Sequence, residues 1–150
     1  MKKIAFVSCL FVLIGFKLQA QDLRWYQWNE GYPLAKKEGK IILIDAYTDW
    51  CGWCKKMDRD TYSNPGIIQT LNKDFIAIKF NPELRDSVYW VDSTSYSAAD
   101  FFNQLTRGER TGFPTTYFIN PTKRSLFIDP GYHDAATFSG VLKQVLKDYK

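Results

Sequence analysis

The sequence predicts an α/β fold, a central mixed sheet with helices on both faces. Three observations predict it. Short aliphatic and aromatic runs, Ile41-Ile42-Leu43-Ile44 and Phe75-Ile76-Ala77-Ile78-Lys79-Phe80, read as buried strands. Segments bearing helix caps and no internal breakers lie between them. The final segment places Phe138, Val141, Leu142, Val145, Leu146 and Tyr149 at i, i+3, i+4, i+7, i+8 and i+11, one apolar helix face.

Taken in order, Asp22 to Tyr32 carries Trp25, Tyr26 and Trp28 and opens as a short strand covering the sheet. Pro33 suits the first position of a short helix that Gly39 stops. Ile41 to Tyr47 is the first full strand. Cys51 to about Tyr62 is a helix, and Asn64-Pro65 caps and starts another that runs to Leu71. Phe75 to Phe80 is the second strand, ended by Asn81-Pro82. Glu83 to Ser95 is polar and charged, with Val88, Tyr89, Trp90 and Val91 interspersed, and shows no clear period. Ser97-Ala98-Ala99-Asp100 resembles a capping box opening a helix through Leu105. Phe113 to Ile119 is a strand entered through Pro114. A turn at Asn120-Pro121-Thr122-Lys123 returns Ser125 to Ile128 as its antiparallel partner. Asp134 caps the last helix.

At 150 residues, 45% hydrophobic, with 5 Trp, 9 Tyr and 11 Phe, the chain fits one domain with a proper core. Its first 20 residues read separately. A basic start at Met1-Lys2-Lys3, an apolar stretch from Ile4 to Phe16 and a cleavage site at Leu18-Gln19-Ala20 form the layout of a secretory signal peptide. The expected organisation is therefore a signal peptide over 1–20 and one domain over 21–150, periplasmic or secreted. Cleavage there removes three lysines and no acids and takes the formal charge from +4 to +1. A near-neutral domain gives no electrostatic reason to expect nucleic acid or an anionic membrane as partner.

The mature chain keeps two cysteines, in Asp49-Trp50-Cys51-Gly52-Trp53-Cys54-Lys55, between the first strand and a helix. At a helix N-terminus, unpaired N–H groups and the dipole favour a thiolate. Cysteines at i and i+3 also close a disulfide with little chain movement. Cys51, nearer the surface, would attack, and Cys54 would resolve the mixed disulfide. Half a zinc site or a static disulfide are the alternatives. Structural zinc wants four ligands, and outside the pair the chain offers only Cys9 and His133. Neither metal nor cofactor is expected. His133, the sole histidine, reads as solvent-exposed or helix-capping, and Tyr47 as core.

Several independent points resemble the thioredoxin superfamily. Trp50-Cys51-Gly52-Trp53-Cys54-Lys55 is similar to its W-C-G-x-C-K site, with Trp53 where thioredoxin itself has proline. Ile42-Leu43-Ile44-Asp45 resembles the strand ending in a buried acid, and Lys79 falls at the place of the lysine beside it. Gly112-Phe113-Pro114-Thr115 looks like the cis-proline loop, and Pro130-Gly131-Tyr132 precedes the last helix where the family carries a glycine. The resemblance covers residues 33–150. It looks closest to exported thioredoxin-like proteins, including the C-terminal domain of the transmembrane thiol:disulfide interchange reductase.

The resemblance implies an exported thiol:disulfide oxidoreductase, a monomer that reduces, or relays electrons to, disulfides or mixed disulfides of other exported proteins and is recharged by a membrane-embedded donor. A disulfide oxidase or isomerase of the same fold and a redox-inert binding module are the alternatives. It implies catalytic roles for Cys51, Cys54, Asp45 as proton carrier, Lys79 as its partner, and Pro114. It further implies a substrate surface of Trp50, Gly52, Trp53, Phe113 and Thr115. Between Asn81 and Pro114 the chain is longer than the thioredoxin pattern. The Tyr89-Trp90 region is expected either to lie near the site and shape partner choice or to cover the core as an extra hairpin or helix.

Overall fold

The computed structural model describes residues 22–149. The expected signal peptide and its cleavage site lie outside them. The elements run β1 (Trp25–Tyr26), α1 (Trp28–Glu38), β2 (Ile41–Ala46), α2 (Gly52–Asp60), α3 (Pro65–Asp74), β3 (Phe75–Phe80), β4 (Val88–Val91), β5 (Thr94–Ser97), α4 (Ala98–Thr106), β6 (Thr115–Asn120), β7 (Ser125–Pro130) and α5 (Ala135–Tyr149). Five strands form one mixed sheet in the order β1-β3-β2-β6-β7. β1, β3 and β2 are parallel, while β6 and β7 run antiparallel to their neighbours.

The aliphatic run at 41–46 is the middle strand, and every residue of it is buried. Helices cover both faces of a strand so placed, so it reads as one continuous apolar run rather than an alternation. Ile42, Ile44 and Ala46 point with Ile76, Ile78 and Phe80 toward α1, α4 and the β4–β5 hairpin. Ile41, Leu43 and Phe75 point the other way, toward α2, α3 and α5, where Met57, Leu71, Phe138 and Leu142 fill the second core. The periodic face of the last segment is this second core's wall.

Local sequence explains most boundaries. Asn64 caps α3 by accepting from the N–H groups of Gly66 and Ile67, with Pro65 at the first position. Ser97 caps α4 by accepting from the Asp100 N–H. Asp134 accepts from the Thr137 N–H at the start of α5. Gly39 ends α1 in the left-handed conformation, φ 65°, donating to the Ala35 carbonyl.

Helix α1 departs from expectation. It begins at Trp28, and Pro33 lies inside it rather than at its first position. A proline there removes one helical hydrogen bond, and tertiary packing outweighs the loss. Trp28, Tyr32 and Ala35 are buried in the first core. Gly31 passes so close to β3 that a Cβ would sit 2.9 Å from Ile78 Cδ1.

The stretch Glu83 to Ser95, which shows no clear period, lies mostly in a hairpin of β4 and β5 over 88–97, laid on this helix. Trp28 Nε1 donates to the Trp90 carbonyl at 2.7 Å, Asn29 Nδ2 donates to the Val88 carbonyl at 2.8 Å, and the Trp90 N–H donates to Asn29 Oδ1 at 2.9 Å. The Asn29 amide thus pairs with β4 as a neighbouring strand would. Tyr89 stacks flat on Phe101 of α4, centroids 4.9 Å apart. The insertion therefore covers the core as a hairpin, and Tyr89 is a core residue rather than part of the site.

Asn29→Ala removes both amide bonds. It is expected to destabilise the protein by about 1–2 kcal/mol in urea unfolding and to expose the Trp90 amide to rapid hydrogen exchange. An unchanged exchange rate at Trp90 would show that this anchor does not hold the hairpin.

Candidate active site

The centre of β2 carries a charge. Asp45 is 1% exposed, and its register partners are Lys79 on β3 and Thr116 on β6. A carboxylate buried among isoleucines is costly unless paired. Lys79 Nζ donates to Asp45 Oδ2 at 2.5 Å and also reaches the Asp58 carboxylate of α2. Its ammonium lies 4.9, 5.1 and 5.4 Å from the ring centres of Trp25, Tyr47 and Tyr62, distances at which aromatic faces stabilise a cation.

Burial pushes the Asp45 carboxyl above its ordinary range, and the Lys79 charge opposes only part of that. Burial also works against the Lys79 ammonium, but Asp45 and Asp58 outweigh it and hold Lys79 above its ordinary range. Asp45 Oδ1 stays buried without a hydrogen-bond partner. The result is a buried acid whose neutral form is favoured more than usual, beside a lysine whose charged form is favoured.

Beyond Asp45 the chain leaves the sheet. The Tyr47 N–H donates to the Phe80 carbonyl at 3.0 Å and the Cys51 N–H to the Thr48 carbonyl at 3.1 Å, a tight turn that delivers Cys51 to the head of α2. Cys51 is the N-cap. It is disulfide-bonded to Cys54, and its sulfur accepts the Cys54 N–H at 3.1 Å. That contact, with the helix dipole, stabilises negative charge on the Cys51 sulfur when the bond opens. Both cysteines are buried in the disulfide, 4% and 2% exposed, so the expected contrast between an outer Cys51 and an inner Cys54 is slight. Their difference lies in the cap.

The rim is aromatic. Trp50 and Trp53 are 68% and 58% exposed, among the most exposed large apolar side chains described. Trp50 packs edge-on against Phe113, centroids 6.0 Å apart, and donates Nε1–H to Glu83 Oε1 at 3.1 Å. Trp53 lies over Tyr132 at 5.4 Å. A Cβ added to Gly52 would meet nothing within 4 Å, so the space above the disulfide is open. The Phe113–Pro114 peptide is cis, and the Pro114 carbonyl accepts from the Gly131 N–H at 2.9 Å.

The sequence-derived site residues fall in two groups. Asp45 pairs with Lys79 across β2 and β3, ahead of the turn that leads to the Cys51–Cys54 disulfide, with Gly52 and Trp53 in the same turn of α2. Trp50 packs on Phe113, which precedes the cis Pro114. Three placements differ. The Thr115 side chain is fully buried and donates to the Gly112 carbonyl at 2.7 Å, so it orders the loop rather than meeting a substrate. Tyr47 is partly exposed and packs on Lys79 rather than in the core. His133 neither faces open solvent nor caps α5; its ring bonds Asp129 Oδ1 at 3.1 Å. Sequence reasoning missed Asp58, Tyr62, Thr116 and Asp129. Asp58 alone had a local cue, one helical turn beyond Cys54. Among the described residues no cluster of three or more His, Cys, Asp or Glu side chains could hold a metal.

Because the unfolded chain ionises Asp45 at its ordinary, lower pKa, the raised folded value makes stability fall as pH rises through it. Asp45→Asn abolishes that loss. The oxidised variant is expected to gain stability relative to wild type as pH rises from the ordinary carboxylate range toward neutrality, the difference becoming constant below that range. A gain independent of pH in urea titrations would argue against a raised Asp45.

Comparison with known proteins agrees with this geometry. A family model described as Thioredox_DsbH, protein of unknown function, DUF255, matches residues 15–150. Human spermatogenesis-associated protein 20 is 35% identical over 77 residues, 47% of this chain and 10% of that protein. The thiol:disulfide interchange protein DsbD of Salmonella typhimurium is 30% identical over 115 residues, 73% of this chain and 17% of that protein. The chain thus spans only a small part of the curated relatives it matches. A thioredoxin from Thermus thermophilus shares the fold, with a TM-score of 0.64, 22% identity, and coverage of 84% of this chain and 88% of that one. The chain belongs to the Thioredox_DsbH family and has the thioredoxin fold.

Proposed function

We propose that the chain is an exported thiol:disulfide oxidoreductase that reduces, or relays electrons to, disulfides of other exported proteins. One observation carries the reading: the Cys51–Cys54 disulfide caps a helix at the end of the strand that buries Asp45 against Lys79. A disulfide serving only as a staple does not call for a buried carboxylate in the strand that leads to it. The likeness to a thiol:disulfide interchange protein over 73% of the chain supports the same reading.

In the reduced protein the Cys51 thiolate attacks a partner disulfide. One partner sulfur leaves as thiolate, and a mixed disulfide forms on Cys51. Cys54 then loses its proton to Asp45 and attacks the Cys51 sulfur. That forms the intramolecular disulfide and releases the second partner thiolate. Two electrons pass to the partner, whose thiolates take protons from water. Trp50, Trp53 and Phe113 form an apolar rim for the partner chain. The main chain at Phe113, turned by the cis Pro114 bond, pairs with it as an added strand would.

Each turnover leaves the disulfide form, so the reading requires an electron donor, by analogy one embedded in the membrane. Export rests on the Met1–Ala20 sequence pattern, and action as a monomer on one chain supplying the whole site.

The reduction potential of the mature domain tests the direction of flow. A value near the −270 mV of thioredoxin is expected, and one near the −120 mV of a strong oxidant would reverse it. Cys51→Ser is expected to abolish reduction of a protein disulfide, and a thiol pair that fails to cycle would leave only a binding module.

A further inference from the structure

We propose that Asp129 and His133 form the outlet of a proton path running across the sheet from Asp45 through the Thr116 and Tyr62 hydroxyls. The proposal rests on the oxidoreductase reading and names residues outside the set matched to the thioredoxin pattern. Thr116 of β6 is the register partner of Asp45 on one side and of Asp129 of β7 on the other. Directly opposed residues in a sheet share a face, with Cβ atoms roughly 5 Å apart. Asp45, Thr116 and Asp129 therefore stand in a row beneath the α2 side of the sheet.

The row is polar where the rest of that face is apolar. Asp45 Oδ1, Thr116 Oγ1, Tyr62 Oη and Asp129 Oδ2 are all buried with no hydrogen-bond partner, as are Thr48 Oγ1 and Ser125 Oγ away from the row. Each such group is costly to leave unpaired. Four on neighbouring residues are hard to explain as packing. Tyr62 lies over the row: burial first, then the nearby Asp45 charge, hold its hydroxyl well above the ordinary range, with Asp129 adding to the rise. A hydroxyl donates on one side and accepts on the other, the property a relay needs.

The row has two ends. At the Asp45 end stand Lys79 and Asp58, 22% and 47% exposed, and the lysine, held as a cation between two carboxylates, has no lone pair with which to accept the Asp45 proton. At the other end Asp129 Oδ1 meets the His133 ring, with 13% and 23% of those side chains exposed. Burial raises the Asp129 carboxyl, opposed in part by His133, so it too can carry a proton. Asp134 is the further charge beside His133. Asp129 and His133 are positioning residues acting through Asp45.

The step they serve is attack by Cys54. The Cys54 S–H bond breaks and its proton passes to Asp45. The Cys51–Cys54 bond forms, and the Cys51–partner bond breaks with its electron pair leaving on the partner sulfur. The proton then moves along the row to His133 and water, restoring the Asp45 carboxylate.

An aromatic disulfide with a coloured thiolate, dithiobis(nitrobenzoate), separates the steps. Mixed with the reduced protein, it releases one thiolate when Cys51 attacks and a second when Cys54 does. Asp129→Asn and His133→Asn are each expected to slow the second release about tenfold, less than the hundredfold or more of a group touching the reacting atom. They should also flatten its rise with pH and leave the first release unchanged, with Asp129→Glu recovering most of the rate. The His133 substitution spares the backbone carbonyl that accepts from Thr61 Oγ1, so it tests the path even if Asp129→Asn misfolds. A second release at the wild-type rate in the Asn variants would overturn the proposal, as would equal slowing of both releases. Absence of both releases in the wild type would instead sink the oxidoreductase reading, and the path with it.

Discussion

The contact on which the structure depends is the ion pair between Asp45 and Lys79 across β2 and β3. A sheet covered on both faces by aliphatic side chains has little in its apolar pattern to choose between registers. A slip of one residue exchanges the faces of a strand. Here it would turn Asp45 toward Ile76, Ile78 and Phe80, in a core of apolar and aromatic side chains. The pair therefore specifies the register of the central strand and, through Tyr47, Thr48 and the Cys51 turn, the position of α2. Its stabilising value after desolvation is small or negative. Its value in fixing one arrangement is large.

The parts of this site legible in the sequence are those whose meaning is local. Cys51-x-x-Cys54, the strand preceding it and the cap before Pro65 each occupy a few adjacent residues with one physical reading. Asp45 was legible because a carboxylate ending an aliphatic run is locally anomalous. Lys79 was legible only through resemblance, since nothing beside it in the chain reveals its partner. Thr116 and Asp129 were not legible at all. A threonine and an aspartate near a strand's end are ordinary, and only the β2–β6–β7 register sets them beside Asp45.

The errors follow the same division. Pro33 reads as a helix start because proline is most at ease there, yet Trp28, Tyr32 and Ala35 bury enough apolar surface against β3 to carry α1 through it. The hairpin at 88–97 has no strand period because one of its faces lies on a helix and an amide side chain, Asn29, not on another sheet strand. His133 looked detached because it lies far along the chain from the cysteines. The sheet brings its partner Asp129 within two strands of Asp45.

The two faces of the sheet divide the work. The α1–α4 face is apolar apart from Thr115 beside Ala46 and has absorbed an inserted hairpin, with Tyr89 stacked into its core. The α2–α5 face has a polar margin from Lys79 to His133, directly beneath the helix that Cys51 caps. Additions on the first face leave this margin untouched, so segment 81–114 can lengthen without disturbing the thiols. Among the described residues it reaches the site through Glu83 on the Trp50 indole and through the aromatic contacts from Phe101 by way of Phe80 and Phe102 to Phe113. Those contacts fix the inner side of the rim, where a partner chain would lie. The hairpin can therefore change the stiffness of the aromatic rim while the thiols stay with the opposite face.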